Sequence, residues 1–151
     1  GECYHAQLGG GAFCNDRRLH TGQATTLQGN EILVACSRSW RHFEVTGIQA
    51  KPRVLGSVGY DFGLVARGTA MLGLSAIPHL WDLAGGWLLL TEAGGVVDVI
   101  PDRNGAVQPP FPVQAGINYR DRTFPLLMAA NQAIFQQASL HVRQRERTSA
   151  A

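Results

Sequence analysis

The run Leu80-Trp81-Asp82-Leu83-Ala84-Gly85-Gly86-Trp87-Leu88-Leu89-Leu90-Thr91-Glu92-Ala93 sets the strongest limit on how this chain can fold. On a helix its side chains are apolar nearly all the way round, so the helix is expected to be buried on more than one side. Gly85 and Gly86 in its interior each cost up to about 1 kcal/mol relative to alanine. Such a cost is tolerated where another backbone packs very close. Gly94-Gly95 stops the helix. Asp82, Gly85, Gly86 and Glu92 interrupt the run, so it is not a membrane span, and no other apolar stretch is long enough to be one.

The rest of the chain supplies layers to bury that helix. Cys3–Gln7 and Ala12–Cys14 read as a hairpin turned by Gly9-Gly10-Gly11, and His20 to Asn30 reads as a linker. Ile32 to Cys36 is a continuous apolar run that suits a strand covered on both faces. Arg38–Gln49 reads as a helix, Pro52–Leu55 as a short strand, and Ser57 as the cap of a helix through Val65. Thr69–Leu74, Val96–Ile100 and Leu126–Ala130 read as strands, with a last helix from the Asn131 cap to about Arg143. Strands alternating with helices predict a layered α/β fold.

Composition narrows the function classes. With 151 residues, 45% hydrophobic and 16% charged, the chain is one globular domain and not a disordered or fibrous protein. The formal charge is +2, and Lys51 is the sole lysine. Arg143, Arg145 and Arg147 near the end read as a frayed, solvated helix terminus, so no nucleic-acid partner is expected. Cys3, Cys14 and Cys36 lack metal spacing and read as thiols in a reducing compartment. With no charged-then-apolar leader in the sequence, a cytoplasmic location and no membrane partner are expected. The chain opens at Gly1 in what reads as strand and turn, as a partial sequence would.

Asp82, in the first turn of the buried helix, has two readings. A carboxylate there gains from the helix dipole and the unpaired first-turn amides. It also suits a rigid oxygen ligand for a hard cation such as Mg²⁺, which normally takes more than one carboxylate. Asp61 reads as a polar contact between packed helices, Glu92 as a hydrogen bond at the Gly94-Gly95 turn, and His79 as a loop residue supporting the site. Gly9 to Gly11 is no phosphate loop, because no Gly-Lys-Ser/Thr follows.

Trp81-Asp82-Leu83-Ala84-Gly85-Gly86 with Glu92-Ala93-Gly94-Gly95 resembles the WDxAAG…EAGG signature of the inositol monophosphatase family. Gly56-Ser57-Val58, followed by Val65-Ala66-Arg67-Gly68, is similar to that family's G-S/T-A turn and VAxG helix end. The hairpin Tyr4-His5-Ala6…Gly11-Ala12-Phe13 with Asn15, and the junction Met128-Ala129-Ala130-Asn131, follow the family order over nearly the whole chain.

The resemblance implies a Mg²⁺-dependent phosphatase of small phosphorylated metabolites, on the C-terminal part of a layered α/β sandwich with a mixed sheet flanked by helices. It assigns Asp82 to the metal, and Gly56, Ser57, Val58 and Ser75 to the substrate, with Trp81 and His79 behind them. The family's DPxDGT motif, which supplies most metal ligands, occurs nowhere in the chain and is expected upstream. The chain is therefore expected to be inactive alone. Ser75 stands where inositol-specific members carry a glutamate, which leaves histidinol phosphate, a sugar bisphosphate or a nucleotide bisphosphate open as substrates. A non-catalytic remnant binding a metabolite or partner is the reading from another class. Residues 1–27 are expected to be a remnant of an N-terminal sheet domain, 28–145 an α/β domain, and 146–151 a flexible tail. The unpaired hairpin edges imply a homodimer or an upstream segment as partner.

Overall fold

The fold is taken from a computed structural model, which describes residues 1–145. In chain order the strands are β1 (Tyr4–Gln7), β2 (Gly11–Cys14), β3 (Arg17–Arg18), β4 (Ile32–Ala35), β5 (Phe43–Val45), β6 (Lys51–Val54), β7 (Leu72–Ser75), β8 (Val96–Val99), β9 (Leu126–Ala129) and β10 (Val142–Gln144). The helices are α1 (Ser39–His42), α2 (Val58–Ala66), α3 (Leu80–Glu92) and α4 (Gln132–Ser139).

The apolar run at Ile32 becomes β4, inside a five-stranded sheet of order β6-β4-β7-β9-β8. β6, β4 and β7 run parallel, while β9 is antiparallel to both β7 and β8. The mixed α/β fold is therefore as expected. Side chains alternate between two hydrophobic clusters, as the two-residue period of a strand requires. Val34, Leu126 and Met128 join Phe62, Leu83 and Leu90 of α2 and α3 on one face. Leu33, Ala35, Leu127 and Ala129 join Ile134 of α4 and Phe43 of β5 on the other. The inner strands β4 and β9 are thus covered on both sides, which is why they read as unbroken apolar runs, while the edge strand β6 is exposed.

The β1-β2-β3 sheet packs against α3, which lies on the first of these faces. Ala12 and Leu19 are buried in the same cluster as Phe62 and Leu83. Opposite, Asn131 caps α4 by accepting the Ile134 N–H at 3.1 Å, while its amide donates to Gly22 O and Ala24 O. One side chain therefore both starts the last helix and pins the polar segment that read as a linker.

Several expectations are corrected. The helix expected over Arg38–Gln49 stops at His42, because Phe43–Val45 pairs antiparallel with Val142–Gln144. The last helix ends at Ser139 for the same reason, so Arg143 and Arg145 lie on and just after a strand and not on a helix end. Arg147 and the expected tail 146–151 lie outside the described residues. β7 begins only at Leu72, since the N–H groups of Thr69 and Ala70 bond back to Leu64 O to close α2. α3 is covered on more than one side, as expected, by α2, the β1-β2 hairpin and β8, with Leu83, Leu89 and Leu90 buried. Its open face carries Trp81, 62% exposed, with Ala84 and Gly85. A side chain on Gly86 would run into the Phe62 ring, so close approach explains that glycine, by a side chain and not a backbone; nothing crowds Gly85.

Candidate active site at the ends of the parallel strands

Three parallel strands deliver their following segments to the same end of the sheet. β6 leads into Gly56-Ser57-Val58, β4 into Cys36 and α1, and β7 ends at Ser75 and leads into His79 and Asp82. In open α/β sheets this carboxyl end is where ligands bind. With β4 between β6 and β7, the Ser57 and Ser75 segments leave the sheet about 10 Å apart, two strand spacings.

Gly56 turns the chain out of β6 with φ +78°, a conformation that disfavours any side chain. Ser57 then caps α2, its Oγ accepting the Tyr60 N–H at 3.3 Å. The first intrahelical bond runs from the Asp61 N–H to Ser57 O, which leaves the N–H groups of Val58 and Gly59 ahead of the helical ladder. Ser57 is exposed and Val58 half-buried. A helix start built in this way attracts anions.

The second helix start is built differently. Asp82 is exposed, and its Oδ2 accepts the His79 N–H at 2.9 Å, reaching back to cap its own helix. His79 is half-buried; its Nδ1 lies 3.0 Å from Arg122 O, and its ring stacks on Trp81 with centroids 4.6 Å apart. A carbonyl only accepts, so Nδ1 carries the proton. Ser75 is 1% exposed, and its hydroxyl has no hydrogen-bond partner among the described residues. It sits beneath the surface of this end of the sheet and does not open into it.

The strand between them contributes a network that the sequence did not reveal. Ser39 Oγ donates to Leu74 O at 2.8 Å and lies 3.1 Å from Cys36 Sγ. With the hydroxyl proton committed to the carbonyl, the Cys36 thiol donates to Ser39. All three cysteines are free.

Two acidic residues depart from their sequence reading. Asp61 is fully buried in the first turn of α2, and neither oxygen has a hydrogen-bond partner among the described residues. Burial alone pushes its carboxyl up to about 6. The expected contact between helices is absent among the described residues. Glu92 bonds not at the Gly94-Gly95 turn but to the hairpin turn, accepting the N–H groups of Gly9 at 2.7 Å and Gly11 at 2.9 Å. The three glycines beside it are thus a docking point for α3.

Among the described residues, no group of three or more His, Cys, Asp or Glu side chains stands ready for a metal ion. Asp82 is one exposed carboxylate, already engaged by His79, and a small divalent ion needs more oxygen ligands than that. The described residues do not by themselves build a divalent-cation site.

The fold and this edge define an α/β protein with a helix-start site at the carboxyl ends of parallel strands. The chain belongs to the inositol monophosphatase family, whose sequence model matches residues 1–137. It is 36% identical to the inositol-1-monophosphatase of Rhizobium meliloti (strain 1021), over 62% of this chain and 39% of that protein. The inositol monophosphatase structure from Anabaena (Nostoc) sp. PCC 7120 superposes with a TM-score of 0.68 at 20% identity, over 93% of this chain and 53% of that one. A structure titled IMPase/NADP phosphatase complexed with Mg²⁺ and phosphate matches with a TM-score of 0.67 at 17% identity, over 92% of this chain and 49% of that one. The chain thus spans about two-fifths of this curated relative and about half of the solved structures. Among the described residues, no helix is long and apolar enough to cross a membrane.

Proposed function

We propose that the protein is part of a phosphatase that hydrolyses phosphomonoesters of small metabolites with Mg²⁺. The observation that carries this reading is that two helix starts, at Ser57 and at Asp82, follow the same end of three parallel strands in a chain of this family. The N–H groups of Val58 and Gly59 would hold a phosphate oxygen, with Gly56 letting the backbone approach it. Asp82 would give one carboxylate to the metal, while the His79–Trp81 stack and the His79–Arg122 bond keep that helix start fixed. When bound, Mg²⁺ supplies an activated water and neutralises charge on the phosphoryl group.

The remaining carboxylates belong, in this reading, to an upstream segment, and residues 1–27 to a sheet completed outside this chain. Residues 28–145 form the α/β unit. A homodimer, or that upstream segment, covers the hairpin edge, and the protein works in the cytoplasm, where Cys3, Cys14 and Cys36 stay reduced. Ser75 makes inositol phosphate one candidate beside histidinol phosphate, sugar bisphosphates and nucleotide bisphosphates.

The test is phosphate release from a panel of small phosphomonoesters, with and without Mg²⁺. The 151-residue chain should be inactive, and a form extended upstream should be active. In that form Asp82→Asn should abolish most turnover while keeping the bond to His79 and the fold. Full activity of Asp82→Asn would refute its metal role, and Mg²⁺-dependent turnover by the short chain would refute the incomplete site. The lone carboxylate also favours a second reading, a metabolite-binding remnant. Inactivity of every extended form, with metabolite binding intact, would support that instead.

A further inference from the structure

The two-stranded β5-β10 ribbon, which the sequence did not announce, helps to build a cleft of about 550 Å³ lined by Arg41, His42, Arg103 and Arg145. Among the described residues Asp102 is the one carboxylate in its wall, and its Oδ1 is engaged by the N–H groups of Asn104 and Ala106 in its own loop. Neither Arg41 nor Arg145 has a carboxylate partner among the described residues. Arg41 and Arg145 facing one loop-bound carboxylate leave this part of the cleft positive among the described residues.

The cleft is also preorganised. The Arg145 N–H donates to His42 O at 2.6 Å, and its Nε donates to Phe43 O at 2.7 Å, which leaves the outer guanidinium nitrogens to a ligand. Gln144 clamps the opposite wall, its amide donating to Ile100 O and Pro101 O. The His42 Nδ1–H donates to Arg38 O, so Nε2 is the ring nitrogen left over. Arginine's planar fork matches the oxygens of a tetrahedral oxyanion. Ala76, which lines the cleft, directly follows Ser75, so the cleft adjoins the loop that leads to Asp82.

We propose that this cleft is an oxyanion site, separate from Asp82, in which Arg41 and Arg145 hold a phosphate or sulfate group. That group is either a free ion or the second anionic group of the substrate, and the latter source rests on the phosphatase reading above.

The experiment is a titration of the protein with inorganic phosphate at constant ionic strength, following the Nε–Hε resonances of ¹⁵N-labelled arginine, with chloride as the baseline. Arg41 and Arg145 should shift saturably, and Arg41→Ala should weaken binding about tenfold, the loss of one charge-assisted hydrogen bond. Arg41 is exposed and has no side-chain hydrogen bond among the described residues, so this variant should fold; Arg145→Lys provides a second, charge-conserving variant. Shifts no larger than those from chloride, or equal phosphate affinity in Arg41→Ala, would overturn the proposal. In the extended, active form, KM is then compared for a sugar monophosphate and a sugar bisphosphate. If Arg41→Ala raises KM for the bisphosphate alone, the substrate supplies the anion. If phosphate binding weakens while both KM values hold, the occupant is the free ion. A protein with no phosphatase activity would sink the hydrolysis reading and leave the phosphate titration to decide the site.

Discussion

The carboxylate of Glu92, at the end of α3, accepts the backbone N–H of Gly11 at 2.9 Å across 81 positions of sequence. Its other oxygen holds Gly9, so one side chain fastens the hairpin turn to the helix. Removing it would leave two hairpin amides without their partner. Glu92→Ala should therefore destabilise the fold by about 1–3 kcal/mol. Hydrogen exchange should show the loss first at Gly9 and Gly11, and unchanged protection there would contradict the role.

The adjacent glycines of α3 should respond in opposite directions. Gly86→Ala drives a methyl group into Phe62, a fully buried ring, and should cost about 1–3 kcal/mol. Gly85→Ala enters open space and should stabilise by up to about 1 kcal/mol, the helix-propensity difference. Urea denaturation of both variants checks the pair, and equal effects would mean that α2 and α3 do not pack as described.

Asp61 should make stability fall with rising pH. Its folded carboxyl titrates at about 6 against an ordinary value of 3.8, so the folded state holds the proton more tightly. Below 3.8 both states are protonated and nothing is lost. Between 3.8 and about 6 the unfolded chain ionises first, and stability drops until the folded carboxyl ionises too. The full loss above that window is about 3 kcal/mol. Asp61→Asn should be more stable than the parent at pH 8 and should lose that advantage at pH 3.5. Paired urea curves at the two values measure it.

Ser75 has a buried hydroxyl with no hydrogen-bond partner among the described residues. Ser75→Ala removes a desolvated polar group of about 1–3 kcal/mol, so stability should hold or rise. A clear loss on thermal denaturation would mean that the hydroxyl is hydrogen-bonded and contradict this reading.

Local signals made much of this protein legible in its sequence. The continuous apolar run at Ile32 announced a central strand, and Ser57 and Asn131 announced helix starts, because caps and two-face burial act through neighbours in the chain. Motif order also placed Gly56, Ser57 and Asp82 at element boundaries. What stayed hidden depends on pairing between distant segments. Phe43–Val45 is a strand only because Val142–Gln144 lies beside it, and the cationic cleft exists only because that pairing brings Arg145 to Arg41. Glu92 chose the hairpin over its own turn for the same reason. Propensity and periodicity record what a residue needs from its neighbours along the chain. The partner that satisfies a backbone strand edge or a carboxylate 81 residues away is decided only when the chain closes on itself.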